Sequence, residues 1–548
     1  MVEVLNIERL KSIMSTNDEE VLLLLKSINS KLADQNHFSD IDYFTRQEIV
    51  KLVEMQRKSP VLVAPLLELL RILARDKNQL EVILTESIEE FIIYSSALIE
   101  NPGKIVVKDI MEAEKCLVNT LFNSAKMREI FEAKSVGVLL ERIHRFIIND
   151  YSGNFEWINE MTEDMRSSLW YFDLRLAFLI SAHSVKVQRT WGSDSLSFGT
   201  WVQIVKQYLE AAKQRDAGEL PSDMEKRTER AIEACKILFN ITFRRAEDIK
   251  SPFLTDITIL VSSILKSKVH VSSMEQHAVN LMATLKLDYS ILCPKMKSFD
   301  RCTEHFDLYD MSFAQALMDA MERKLDTNDK SDAELLSTYL GSALKLCTAN
   351  KEARRYCRMK SYNLLRNCFL QILPPLKDTD VCRRPDEGNS LRNKIVRVMM
   401  SPAFSKDLAA EFLFVLCKRS VNRLIKYTGL GHAAGLLANS GLLGQINAPK
   451  NDSDSEDSET EEYKAIQDRV NPVTGCLRPP SCTSPFDGMS EEQKEYEAMR
   501  LVDAMHKLMN TGVIQPGTVG DDGRPRAVEH VLELAKNIPD VESDTDTE

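Results

Sequence analysis

Apolar residues recur three and four positions apart over long stretches of this chain, the spacing that gathers them into one stripe on an α-helix. One amphipathic pattern repeats: an apolar residue, a small or variable one, then a polar residue that closes the helix. It reads LRILARD (70–76), LVNTLFNS (117–124) and CKILFNIT (235–242). Looser copies are VNLMATL (279–285), LKLCTAN (344–350) and FVLCKRS (414–420), with a weaker one at AFLISAH (177–183). A basic or polar stretch and a second apolar helix follow, as over 125–143 and 419–438. Arg75 and Asn123, and Asn240 and Thr284, lie about 48 and 44 residues apart, against roughly 40–47 for an armadillo or HEAT unit. Other gaps run to about 70, so insertions or degenerate units fall there. The prediction is an all-α, armadillo/HEAT-repeat, right-handed superhelical solenoid over residues 1–450. Each helix pair buries its apolar face only by stacking on its neighbours. A non-repeating helical bundle is the alternative; six related segments closing on a polar residue in one register weigh against it.

Composition agrees. Of 548 residues 44% are hydrophobic, while Gly (19) and Pro (18) are too few for a turn-rich strand fold. A net charge of −12 repels phosphate backbones, so nucleic acid is not an expected partner. The 11 cysteines form no CxxC pair; Cys116, Cys235, Cys347 and Cys417 sit in apolar helical stretches and read as buried free thiols. No run reaches the roughly 18 apolar residues of a membrane span, and the N-terminus lacks a signal layout. A soluble protein of a reducing compartment is expected, without metal or cofactor.

In an armadillo solenoid the third helix of each unit lines the groove. The closing polar residue and the one four before it share a helical face. The resulting ladder is Arg71/Arg75, Asn119/Asn123, Lys236/Asn240 and Asn280/Thr284, with His277 near Asn280 and Phe178/Ala182 in the weak copy. An amide donates and accepts at once, so an Asn ladder suits a peptide backbone. Arg71 and Arg75 suit a carboxylate. The competing reading of each is a solvated polar face or a helix-packing amide.

GLGHAAG (429–435) has the wrong spacing for a dinucleotide loop and reads as a bend between helices. No P-loop, HExxH or GxSxG occurs, so no enzyme is expected.

After residue 450 the character changes. NDSDSEDSETEEY (451–463) is an acidic low-complexity run, expected to be disordered unless modified. Ser453, Ser455, Ser458 and Thr460 precede acidic residues, the pattern favoured by a casein kinase 2-like kinase, and Lys351, Arg354, Arg355, Arg358 and Lys360 offer a docking surface for the phosphates. Residues 471–488 read as a Pro-rich linker, so 451–488 forms one phosphorylatable linker. Ser490 with Gln493 forms a capping box, and the helix that follows carries Met499, Val502, Met505 and Met509 on one stripe, a face for a partner or for packing back. A shorter helix is expected over 526–537, within a helical region 489–538, before an acidic tail at 539–548.

Several strings resemble the synembryn family, also called the resistance-to-inhibitors-of-cholinesterase family. They are RRPDEGNSLRNKIVRVMM (383–400), AEFLFVLCKRSVNRLIKYTGLGHAAGLLA (410–438), TEEY (460–463), VNPVTG (470–475), MSEEQKEYEAMRLV (489–502) and GVIQP (512–516). Thr284 stands where an Asn is expected, and the segment around 145–200 departs from the family pattern. The resemblance implies a monomeric cytosolic chaperone for heterotrimeric G-protein α subunits, recruited to the cell cortex or plasma membrane. It also implies non-receptor guanine-nucleotide exchange: the GDP-bound α subunit is taken without βγ, GDP leaves, and the nucleotide-free form is held until GTP binds. By the same resemblance the groove takes the C-terminal helix of the α subunit, the helix from 489 reaches its nucleotide-binding domain, and Ser455 and Thr460 are the phosphorylated positions. A generic armadillo adaptor with a peptide in its groove is the alternative.

Overall fold

A computed structural model describes residues 10, 17–103, 106–216, 223–245, 247, 249–267, 271–296, 305–326, 330–359, 372–446, 460–478, 489–515 and 517–528. The protein is all-α, and it divides into two compact units, residues 1–291 and 292–548. Among the described residues strands occur only as two-stranded antiparallel hairpins, 305–306 with 309–310 (β1–β2), 470–471 with 476–477 (β3–β4) and 517–519 with 525–527 (β5–β6), besides one isolated bridge.

Helices of eight or more residues in the first unit are α1 (Asp18–Leu32), α2 (Tyr43–Gln56), α3 (Val63–Leu73), α4 (Glu86–Ser95), α5 (Val107–Asn123), α6 (Ala125–Lys134) and α7 (Val136–Ile148). They continue as α8 (Glu163–His183), α9 (Val185–Ser193), α10 (Ser195–Asp216), α11 (Met224–Thr242), α12 (Ser251–Lys266) and α13 (Ser272–Thr284). One layer is the succession α1, α3, α5, α8, α11, α13, each packed on the next. A second is α7, α10, α12. This is the nearest-neighbour stacking of a solenoid. The first three strong or weak copies of the closing pattern end α3, α5 and α8, so the weak segment 177–183 takes its place in the layer between α5 and α11.

A recurring turn explains the polar stretch after the copies at 117–124 and 177–183. Past the last residue of α5 and of α8, Ser124 and Ser184 cap the next helix, accepting from the backbone N–H of Met127 (3.2 Å) and Val187 (3.1 Å). Four residues on, Arg128 donates back to the Leu121 carbonyl (2.7 Å) and Gln188 to that of Ser181 (2.8 Å). The last carbonyls of a helix have no partner within it, and this donor supplies one.

The layers are also joined by charge. Arg142 of α7 is fully buried and donates to Glu114 of α5, to both carboxylate oxygens of Asp173 of α8, and to the Ser96 carbonyl (2.9 Å). One guanidinium meets two carboxylates, so one negative charge is left over in an apolar interior. Asp173 takes two donors from Arg142, whereas Glu114 takes one and its Oε2 has no partner. Burial, opposed by Arg142 and reinforced by Asp173, pushes the Glu114 carboxyl up to about 8. Glu114 is therefore the group that keeps a proton.

In the second unit the longer helices are α14 (Ser312–Asp326), α15 (Lys330–Ala349), α16 (Lys351–Met359), α17 (Leu391–Met400), α18 (Lys406–Leu416), α19 (Val421–Thr428), α20 (Leu430–Asn439) and α21 (Glu491–Asn510). α14 packs on α15, and α15 and α17 on α18. The turn motif returns after α15: Asn350 accepts from the Ala353 N–H (2.8 Å) and Arg354 donates to the Cys347 carbonyl (3.2 Å). Cys116, Cys235, Cys347 and Cys417 are all buried and unbridged.

Two stretches differ from expectation. Residues 460–478, expected as linker, are seated on the second unit. Thr460 caps a short helix (Glu461–Lys464) and donates to the Leu376 carbonyl; Tyr463 is buried with the Lys426 ammonium 4.5 Å from its ring centre. The chain then turns through β3–β4, with Gly475 at φ 71°. A few anchoring side chains and a glycine turn outweigh a composition that reads as loop. Where a helix was expected from 526, residues 525–527 form strand β6, because the Asp522-Gly523 turn folds 517–527 into a hairpin; the remainder of that segment lies outside the described residues.

The buried network sets a prediction. A carboxyl raised in the fold above its ordinary 4.5 binds a proton that the unfolded chain releases. Its contribution is complete below pH 4.5, declines as pH rises, and is lost above about 8. Melting temperatures of Glu114→Gln across pH 5–8 should follow a flatter line than those of the parent. Arg142→Met should cost about 3–5 kcal/mol at pH 7.

Candidate functional site

The ladder residues fall on consecutive helices of the first layer. Arg71 lies on α3; its Nε donates to Glu112 of α5 (3.0 Å) and its Nη2 to Glu68 (3.3 Å). Arg75, just past α3, donates to the carbonyls of Ala33 and Gln35. Asn119 and Asn123 lie one turn apart on α5. Their amide N–H groups donate to the Arg71 carbonyl (2.9 Å), and to those of Ala74 (2.8 Å) and Arg75 (3.3 Å). Asn240 on α11 repeats this toward α8, donating to the Phe178 carbonyl (3.3 Å) and the Ser181 hydroxyl (3.0 Å). These amides therefore pack helix against helix. None of the three amide oxygens accepts a bond from the described residues, so each keeps its acceptor.

On α8 and α11 the face is cationic and aromatic. The Arg175 guanidinium and the Lys236 ammonium lie 5.1 and 5.4 Å from the Phe178 ring centre. Glu233, nearly buried beneath them, accepts from Lys236 (2.7 Å) and Arg175 (3.2 Å). Two cations close to one ring, both held by the same carboxylate, make a favourable electrostatic arrangement. His277 of α13 is lowered to about 4, mainly by burial and secondarily by Lys236; it is a neutral imidazole at physiological pH. Asn280 differs from the other amides, its oxygen accepting from Gln276 (2.8 Å). The Thr284 hydroxyl donates back to the Asn280 carbonyl (3.2 Å).

Sequence reasoning missed the aromatics beside the amides. Phe122, 63% exposed, precedes Asn123, and Phe239 precedes Asn240, stacking on exposed Phe243 at 5.1 Å. The signal was the shared Leu-Phe-Asn of both copies. Arg175, one turn before Phe178, had none.

The second set of residues is α21. Ser490 and Gln493 make their reciprocal cap (3.2 and 3.3 Å), and no residue of the helix is buried. Met499 is 67% and Val502 63% exposed; Met505, Tyr496, Leu501 and Leu508 are exposed too, and Met509 is half-covered. The apolar stripe of α21 is thus left largely exposed.

The cationic set is dispersed by the structure. Lys351 is exposed, Arg354 caps the Cys347 carbonyl, and Arg355 pairs with Asp307 (2.6 Å). Arg358 is only 4% exposed. Lys360 and the acceptors Ser453, Ser455 and Ser458 lie outside the described residues; Thr460 is described, with its hydroxyl engaged as above. Among the described residues no group of three or more His, Cys, Asp or Glu side chains is placed to hold a metal, and no helix is long and apolar enough to cross a membrane.

The chain as a whole is similar in sequence to known proteins. The family described as guanine nucleotide exchange factor synembryn matches residues 66–524. The chain belongs to the synembryn family. Among its relatives, "Chaperone ric-8" of Caenorhabditis briggsae is 38% identical over 88% of this chain and 89% of its own length, and that of Caenorhabditis elegans is 37% identical over 87% of each. "Chaperone Ric-8A" of Gallus gallus is 33% identical over 98% of both chains. A solved engineered protein aligns with 85% of this synembryn chain and 88% of its own at 12% identity and a TM-score of 0.42, too distant to carry an argument.

The buried imidazole gives a prediction. In this synembryn the ring protons of His277 should show no titration between pH 5.5 and 8 by NMR, whereas an exposed histidine titrates near 6.5.

Proposed function

We propose that this chain is a chaperone and non-receptor guanine-nucleotide exchange factor for heterotrimeric G-protein α subunits. It takes the GDP-bound α subunit without βγ, grips that protein's C-terminal helix on the α3–α5–α8–α11 face, promotes GDP release and holds the nucleotide-free form until GTP binds. The observation that carries this reading is the pairing of a ladder face with a second, amphipathic helix none of whose residues is buried, in a member of an exchange-factor family. An adaptor that only held a peptide in its groove has no use for α21. The carboxamide oxygens of Asn119, Asn123 and Asn240 are acceptors for partner N–H groups, while Arg71, Arg75, Arg175 and Lys236 supply positive charge for a carboxylate end. Exchange by this route is conformational. The protein binds the nucleotide-free state more tightly than the GDP state, and that difference drives release.

Phosphorylation of the acidic run by a casein kinase 2-like kinase, at Ser455 and Thr460 with Ser453 and Ser458 as further acceptors, belongs to the same proposal. At Thr460 a phosphate replaces the hydroxyl's donor bond to Leu376 with charge, so its benefit requires a cationic partner such as Lys351 or the arginines of α16.

Two measurements test the grips separately. Arg71→Ala with Arg75→Ala should weaken binding of a peptide from the C-terminus of an α subunit at least tenfold, measured by calorimetry on a variant whose melting curve shows it folded; unchanged affinity removes the peptide from this face. Deleting residues 488–548 should leave peptide binding intact and abolish most GDP release. Full exchange by the truncated protein would make α21 dispensable.

A further inference from the structure

Three of the strings that mark the family converge in the second unit without entering the binding faces. Gly429 and Gly431 open α20, the 470–475 segment forms the turn of β3–β4, and Pro385 belongs to 383–390. The N–H groups of Leu430 and Gly431 donate to the carbonyls of Pro472 (2.8 Å) and Val473 (2.9 Å). First-turn amides have no partner within their own helix, so this hairpin is their acceptor. The approach is backbone on backbone. A side chain at Gly429 (φ 75°) would stand 2.9 Å from Gly475 N, and one at Gly475 (φ 71°) 2.8 Å from Pro385 Cγ. At the other end of α20 the second hairpin docks in the same way. Leu443 N–H donates to the Gly523 carbonyl (3.2 Å), and a side chain at Gly523 (φ 70°) would collide with the Gly441 carbonyl.

The uncovered helix α21 lies in sequence between these two docked hairpins. We propose that β3–β4 and β5–β6, seated on opposite ends of α20, bracket α21 as a strap, so that its apolar face is held within short reach of the second unit rather than trailing from residue 446. Gly429, Gly475, Gly441 and Gly523 are then positioning residues for the second grip. α20 has ten residues and is about 15 Å long, whereas α21 has twenty and is about 30 Å long. The strap cannot lie straight between its anchors and stands off them with its stripe exposed, as its accessibility records. The upstream tether is about 12 residues (479–490), capping its reach at about 40 Å; with the 460–478 segment wholly released, its Thr460 and Tyr463 seats as well as β3–β4, it would run from residue 446, about 44 residues and about 150 Å. Effective concentration falls roughly as the −3/2 power of tether length, so releasing both anchors should weaken a two-grip complex about sevenfold.

This inference rests on the reading of α21 as a second grip, and the experiment separates the two. Full-length protein carrying Thr460→Ala/Tyr463→Ser/Gly475→Val at the upstream anchor, Gly523→Val at the downstream one, or both sets together (the double variant) is titrated against a GDP-bound α subunit, beside Met499→Ser/Val502→Ser. Hydrogen exchange follows the amides of Leu430, Gly431 and Leu443. Each single variant, still held at its other end, should bind within about threefold of the parent and deprotect only its own anchor; the double variant should bind about sevenfold more weakly. Because valine at a left-handed position strains the turn itself, a further variant leaves the glycines intact and inserts Gly/Ser stretches of about 30 residues between 479 and 488 and between 512 and 515; it should reproduce the loss. If Met499→Ser/Val502→Ser binds like the parent, the second-grip reading fails. If that variant weakens binding but neither the double variant nor the lengthened chain does, the bracket is overturned while the grip stands. Unprotected Leu430, Gly431 and Leu443 amides in the parent would overturn it directly.

Discussion

The terminal carbonyls of a helix are the constraint around which this protein is organised. A helix that must stack on its neighbours to bury its apolar stripe brings its C-terminal end close to the next helix, where water is scarce and unsatisfied carbonyls are costly. The chain answers from two directions. An amide on the following layer helix reaches across, from Asn119 and Asn123 to the end of α3 and from Asn240 to α8. A longer donor beyond the turn reaches back, as Arg128, Gln188 and Arg354 do. Each bond is worth about 1 kcal/mol net. Their larger effect is on register, because an amide meets a given carbonyl only when two helices are aligned to within a fraction of a turn.

That constraint also shapes the proposed binding face. The amides are first of all structural, and their donors are committed to neighbouring helices. What remains for a partner is the oxygen side, together with cations and aromatics between the amides. Arg175 and Lys236, both close to the Phe178 ring and both bound by Glu233, show how the layer supplies positive charge without leaving it loose. The buried Arg142 network ties α5, α7 and α8 beneath this face, so rigidity there and presentation above have one source.

The helical ladder was legible in the sequence because its closing pattern is local: an apolar stripe followed by a polar residue at a fixed place. The degenerate copy at 177–183 was harder, since Gln188 performs there what Arg128 and Arg354 perform elsewhere, while no asparagine stands in register and Ser181 instead accepts from Asn240 of the next layer helix. Residues 460–478 were illegible for another reason. Proline, glycine and acidic residues signal loop by composition, and the docking that fixes them rests on backbone contacts with Gly429 and Gly431 and on single side chains such as Tyr463. Residues 526–527 were misread as the start of a helix because the apolar spacing from 526 outweighed the tight turn that closes the hairpin at 517–527. For α21 the stripe could be read from residue spacing but its exposure could not, since exposure depends on what the rest of the chain leaves uncovered.

The seven-residue return from Arg128 to Leu121, Gln188 to Ser181 and Arg354 to Cys347 bears on how such a chain can change its length. The return joins a helix end to the first turn of its successor and has no slack, so a single inserted residue there would carry the donor about 100° round the helix and off its carbonyl. Among the described residues, the stretches between one return and the next layer helix carry no such link. Layer helices begin at Val63, Val107, Glu163, Met224 and Ser272, at uneven intervals. Added segments have a permitted place in this architecture, and the uneven intervals that blur the repeat in the sequence mark where the fold tolerates growth.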